Sequence, residues 1–108
     1  MTAHTRKEPS TAHIKIATEM FKLVSDPTRL KILWALLHGE HSVGELAEDV
    51  GVKSTVVSQH LAKLRLSHMV SVRREGARMF YKTENDHVLH LIEHAFTQAD
   101  HIQSGEHE

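Results

Sequence analysis

The stretch from Ser42 to Lys82 constrains the fold more than any other part of the chain. Ser42-Val43-Gly44-Glu45 has the spacing of a capping box, in which hydroxyl and carboxylate each satisfy a free backbone N–H at a helix start. A short helix through Leu46, Ala47 and Val50 follows, and Gly51-Val52 makes a tight turn. Ser54 is expected to cap a second helix running to about Ser67. Beyond it, Val70–Arg74 and Met79–Thr83 alternate apolar and polar residues across Glu75-Gly76-Ala77, as in a half-buried hairpin. Two helices about a glycine turn, followed by a hairpin, predict a mainly α fold with a β-hairpin wing, a winged helix-turn-helix.

The flanks add three helices. Ile14, Ala17, Phe21 and Val24 recur at helical spacing from about Thr11 to Val24. Asp26-Pro27 reads as an N-cap followed by proline at the first helical position. The helix it opens carries Leu30, Leu33, Ala35, Leu36 and Leu37 and stops at Gly39. A last helix spans about 85–101. The expected organisation is a mobile tail over 1–10, one domain over 11–103 and a short tail over 104–108. At 108 residues the core is thin, so a homodimer that buries a shared helix face is expected. No run of about 18 apolar residues and no charged-then-apolar leader is present, so no membrane association or signal peptide is expected. Cysteine is absent, which excludes thiolate metal sites and disulfides and makes the cytoplasm the expected location.

The net charge of −1 conceals two blocks. Residues 53–82 hold seven Lys or Arg against Glu75 alone, whereas residues 83–108 hold six acidic residues and no Lys or Arg. Stepping about 100° per residue along the second helix of the motif puts Val57, Leu61 and Leu64 on one side. Thr55, Ser58, Gln59, Ala62 and Lys63 fall opposite. From Lys53 to Arg74 there is no acidic residue, so this outer face suits a polyanion. Gln can bond adenine bidentately, Ser and Thr can bond several base edges, and Lys reaches guanine or phosphate. Ser54, Thr55, Ser58, Gln59, His60 and Lys63 are therefore the expected DNA contacts, with Arg73, Arg74 and Arg78 pinning phosphates from the wing. One reading helix binds weakly, so a two-fold dimer on a palindromic duplex is expected.

These residues resemble a known family. Asp26-Pro27-Thr28-Arg29-Leu30-Lys31-Ile32-Leu33, Ser42-Val43-Gly44-Glu45-Leu46-Ala47 and Val57-Ser58-Gln59-His60-Leu61-Ala62-Lys63-Leu64-Arg65 are similar to motifs of the ArsR/SmtB metal-responsive repressors. The resemblance covers roughly residues 14–103. It implies a dimeric winged helix that sits on operator DNA of metal-efflux or homeostasis genes and leaves when metal binds. Members that sense arsenic, cadmium or lead carry Cys-Val-Cys where this chain has Ser42-Val43-Gly44, so soft-metal sensing is not expected.

Eleven histidines raise the metal question independently, and five of them lie in the last 22 residues. His87, His90, His94 and His101 fall within an arc of roughly 60° on the last helix. His87 and His101 stand about 21 Å apart along one helix, so no single ion uses both. Antiparallel packing of two such helices would bring His87 of one near His101 of the other and leave His94 near the two-fold axis. The resemblance places the zinc-sensing ligand set partly at Asn85 and Gln98, where aspartate and histidine are absent. The pattern is closer to nickel- and cobalt-sensing members, which implies His87, Asp100, His101 and His107 as ligands for Ni, Co or Zn. Removal of Met1 would expose Thr2-Ala3-His4, a set suited to square-planar Ni(II) or Cu(II). His13, His38, His41 and His68 read as surface or interface residues.

Three rivals stand beside this reading. His90-Leu91-Ile92-Glu93-His94 matches a zinc-peptidase motif, but an enzyme needs a third ligand and a cleft that the chain has little room for. A His-rich metal buffer would not need the basic helix and wing. A repressor that has lost its metal response is the third.

Overall fold

The computed structural model describes residues 7–105, so His4 and His107 lie outside the described residues. The elements run α1 (Thr11–Val24), α2 (Pro27–Leu36), β1 (His41–Ser42), α3 (Val43–Val50), α4 (Ser54–Leu66), β2 (Val70–Glu75), β3 (Arg78–Thr83) and α5 (Asp86–Ser104). Most helix starts are fixed by short polar side chains. Ser10, at the edge of the expected tail, accepts the His13 N–H at 3.0 Å and caps α1. Asp26 accepts the Arg29 N–H at 2.9 Å, with Pro27 in the first turn of α2. Ser42 and Glu45 complete the capping box of α3 at 3.2 and 2.8 Å.

Three boundaries differ from expectation. Lys53, not Ser54, is the N-cap of α4, and it makes no side-chain cap bond. Its carbonyl already accepts the Val57 N–H at 3.1 Å, so Ser54 is the first helical residue. The last helix starts one residue later and runs to Ser104, where Gly105 turns left-handed at φ 81°; the expected 103/104 boundary therefore falls inside it. The hairpin strands extend to Glu75 and Arg78, leaving Gly76-Ala77 as the connection, with Gly76 at φ 64°. A glycine at positive φ in a two-residue loop matches the right-handed twist of the flanking strands.

The wing is joined by a third strand that sequence reasoning missed. β1 pairs antiparallel with β3, giving the order β1-β3-β2 with His41 opposite Tyr81 and Ser42 opposite Phe80. Two residues are too few for an alternation to be visible. The core lies between the helix-turn-helix, the sheet and α5. Ile32, Leu33 and Leu36 of α2, Leu46 of α3, Val57, Leu61 and Leu64 of α4, Met69 and Val70 beside the wing, and Val88 and Ile92 of α5 are all buried.

α1 contributes no buried residue to this core. Ile14 and Phe21, half of its apolar stripe, are 56% and 59% exposed. The described chain measures 51 × 36 × 20 Å with a radius of gyration of 15.9 Å, against about 13 Å for a compact 100-residue domain. One copy thus leaves apolar helix surface without cover.

Candidate nucleic-acid interface and effector helix

α4 is built from its buried side outward. Val57, Leu61 and Leu64 are fully buried, which fixes the rotation of the helix about its axis. Thr55, Ser58, Gln59, Ala62 and Lys63 are consequently exposed together, as is Ser54 at the first position. The expected face is therefore present as one surface. α3 holds α4 through Leu46 and the turn at Gly51, which sits at φ 80° and donates its N–H to the Ala47 carbonyl at 2.8 Å. A left-handed residue closing a helix favours glycine, which has no Cβ to clash.

His60 does not share that surface. It is half-buried, and its Nδ1 lies 3.1 Å from Nη1 of Arg29. A guanidinium can only donate, so Nδ1 accepts and the ring proton sits on Nε2. Arg29 also donates through Nε to the Leu23 carbonyl at 2.6 Å. One side chain thereby ties the end of α1, the start of α2 and the inner side of α4. Bonding of the Asp26 carboxylate to the Arg29 backbone N–H, with the Arg29 guanidinium nearby, holds the Asp26 carboxyl below its ordinary value.

In the wing, Arg73 meets Glu40 at 2.9 and 3.0 Å and Glu75 at 3.1 Å. The Glu40 bonds, then the Glu75 bond, raise its already high pKa. Arg78 donates to Ser42 Oγ at 3.2 Å. Both guanidiniums lie over the Phe80 ring, at 4.9 and 5.0 Å from its centroid. Arg74 is exposed and forms no ion pair among the described residues. Glu40 and Ser42 were not among the expected site residues. Their link to the wing depends on β1–β3 pairing, which a linear pattern does not reveal.

On α5, His87, His90, His94 and His101 are all exposed, while Val88 and Ile92 turn inward. His90 and His94 stack loosely, ring centroids 6.4 Å apart, and His90 Nδ1 is 3.2 Å from Glu93. Asp100 lies one step round from the histidine stripe, in a groove with Trp34, His38 and His94. Gln98 is exposed and, among the described residues, without a side-chain bond. Asn85 is already used: its Oδ1 accepts the Val88 N–H at 3.1 Å as the cap of α5. Among the described residues of one chain, no three His, Asp or Glu side chains converge on a common point. The donors exposed on α5 are imidazoles and carboxylates, a set chemically suited to borderline divalent ions such as Ni(II), Co(II) and Zn(II). α5 packs on α2 through Phe96, whose ring lies 4.9 Å from that of Trp34.

Residues 26–72 match the model of the bacterial regulatory protein family arsR. The chain is 46% identical over 90 residues to the HTH-type transcriptional regulator KmtR of Mycobacterium tuberculosis, covering 83% of this chain and 69% of that protein. It is 34% identical over 88 residues to the transcriptional repressor SmtB homolog of Synechocystis, covering 82% and 64%. Among solved structures, the homodimeric winged helix-turn-helix DNA-binding domain of Mb0332 from Mycobacterium bovis superposes with a TM-score of 0.85 at 27% identity. That match covers 100% of this chain and 98% of the other. The matched proteins are regulators, not enzymes, and in the H-x-x-E-H spelling at 90–94 His90, Glu93 and His94 are exposed on α5 while Ile92 is buried in the core. A winged helix-turn-helix with these relatives is a member of the arsR family of bacterial regulatory proteins.

Proposed function

We propose that the protein is a metal-responsive transcriptional repressor that binds operator DNA as a homodimer and releases it when Ni, Co or Zn binds. The genes it controls would then serve metal efflux or homeostasis. The observation that carries the DNA reading is the exposed Thr55–Lys63 face of α4, free of acidic residues and held in place by three fully buried side chains. Thr55, Ser58, Gln59 and Lys63 meet base edges and phosphates in the major groove, and the wing supplies further phosphate contact. The uncovered faces of α1 and α5 form the dimer, which sets the spacing between two α4 helices. Selection of duplexes from a random pool by the purified protein should enrich a palindrome, with affinity falling steeply as salt rises. Recovery of no sequence and no salt-dependent binding would sink the DNA reading.

The metal reading rests on the α5 stripe and on the resemblance to nickel- and cobalt-sensing members. His87 of one protomer would hold the ion with Asp100, His101 and His107 of the other, while His90 and His94 lie on the same stripe. When bound, the cation would supply positive charge and directional coordination to imidazole and carboxylate ligands. The chain's own part is to orient imidazoles on a rigid helix and to pass a change in α5 to α2 through Phe96 and Trp34. Metal and DNA then oppose each other reciprocally, by about 1–3 kcal/mol. Ligation needs neutral imidazoles, so metal-driven release should weaken as pH is lowered from 8 to 6. Addition of Co(II) to the apo protein should give weak d–d absorption bands for a five- or six-coordinate site. Intense tetrahedral bands would point to zinc instead. A repressor without metal response is the second reading, favoured by Asn85, whose carbonyl oxygen already caps α5. Unaltered DNA binding at saturating metal would select it.

A further inference from the structure

Alternation along β2 puts Arg73 and Arg74 on opposite faces of the wing, and the register of the hairpin places Arg78 on the face of Arg73. Residues directly opposite in an antiparallel pair share a face of the sheet. Arg73 pairs with Phe80 and Glu75 with Arg78, whereas Arg74 pairs with Met79 and Val72 with Tyr81. Arg73, Arg78, Phe80 and Glu75 therefore lie on one face, and Arg74, Met79, Val72 and Tyr81 on the other.

The two faces have different neighbours. On the first, Phe80 pairs with Ser42 of β1. Arg73 is clamped by Glu40 and Glu75, and Arg78 bonds the hydroxyl of Ser42, the residue that caps α3. A guanidinium with two carboxylates within 3.1 Å has its charge largely answered before any phosphate arrives. On the second face, Tyr81 lines a groove with Ser58, Ala62 and Arg65 of α4, about 640 Å³ in volume. Arg74 stands two residues beyond Val72 on that same face, about 7 Å further toward the wing tip. It shares the side on which α4 exposes Ser58 and Ala62.

From this we infer a division of labour, which rests on the DNA reading above. Arg73 and Arg78 are positioning residues that fasten the wing to β1 and the start of α3, and Arg74 is the wing residue that meets the DNA phosphates. Glu40 and Ser42 belong to the same fastening set.

The slope of binding affinity against salt, on a log–log scale, separates the roles. Each phosphate contact contributes about 0.9 to that slope, and a dimer makes each contact twice, so loss of one contact type flattens it by about 1.8. Full-length wild type and the variants Arg73→Gln, Arg74→Gln and Arg78→Gln would be titrated with a labelled random-sequence 30-base-pair duplex. The expected result is a slope lower by about 1.8 for Arg74→Gln. Arg73→Gln and Arg78→Gln should keep the wild-type slope but bind a few-fold more weakly at every salt concentration, with faster hydrogen exchange in β3. Circular dichroism of each variant checks that the fold persists, and all three side chains are exposed enough for that to hold. A flattened slope in Arg73→Gln or Arg78→Gln, or an unchanged one in Arg74→Gln, overturns the assignment. Absence of salt-dependent binding by the wild type would instead remove the DNA reading beneath it.

Discussion

The two halves of the molecule are finished to different degrees. The core of the α3–α4 unit is closed within one chain: Leu46, Val57, Leu61 and Leu64 are fully buried, and their burial dictates what α4 shows to solvent, with Leu66 at the end of α4 the one large apolar side chain of the unit left exposed. The α1 helix and the outer side of α5 are not closed. Ile14, Ile16, Phe21 and Ile102 are all more than half exposed, and the α5 histidines point away from the core. The difference teaches that the α4 face proposed to meet DNA is set within a single chain, whereas the proposed metal site would need a second copy to be complete.

Mutation can break this contrast or sharpen it. The largest effect is expected in the closed half: Leu61→Ala should cost about 2–5 kcal/mol of unfolding free energy, measured by urea titration. A smaller loss would mean that α4 is not held as described. Phe21→Asp, in the open half, should leave the secondary structure intact by circular dichroism. It should raise the dimer dissociation constant by roughly 10-fold or more in sedimentation equilibrium, because a charge is then buried in an apolar seam. Dimerisation as tight as wild type would mean that α1 is not at the interface.

Gln59→Ala should weaken binding to a selected duplex by roughly 10-fold and relax the preference at one base position. It should leave the metal response alone. The capping carboxylates give a fourth test. The Ser42 backbone N–H holds the Glu45 carboxyl below its ordinary value. Its contribution to stability is therefore present above the unfolded carboxylate value of about 4.3, and is lost as pH falls through the lowered folded value. Thermal melts of Glu45→Gln should show a shallower loss of Tm below pH 5 than wild type. The smallest effect is expected at His68, a non-glycine residue at φ 59° between α4 and β2. His68→Gly should leave stability unchanged or raise it by up to about 1 kcal/mol.

How much was legible from sequence follows the same division. Caps at Asp26 and Ser42, the turn at Gly51 and the amphipathic spacing of Val57, Leu61 and Leu64 are local signals, and the elements they imply are present. His60 was not legible, because its orientation is set by Arg29, 31 residues away. β1, and which wing face meets Glu40 and Ser42, depend on strand pairing, which shows only once β3 has partners on both sides. The α5 stripe could be seen as a stripe, but the ligand set proposed for it would depend on a second helix. Asn85 turned out to have a local task that its position in the family pattern does not reveal.

The central claim is that the open half governs the closed one. Its most direct test is fluorescence anisotropy of a selected palindromic duplex during Co(II) titration, for wild type and for a His87→Ala/His101→Ala double variant. Release of DNA from the wild type, with the variant staying bound at the same metal concentration, is the expected result. DNA that stays bound to the wild type at saturating Co(II), or equal release from both proteins, would contradict it.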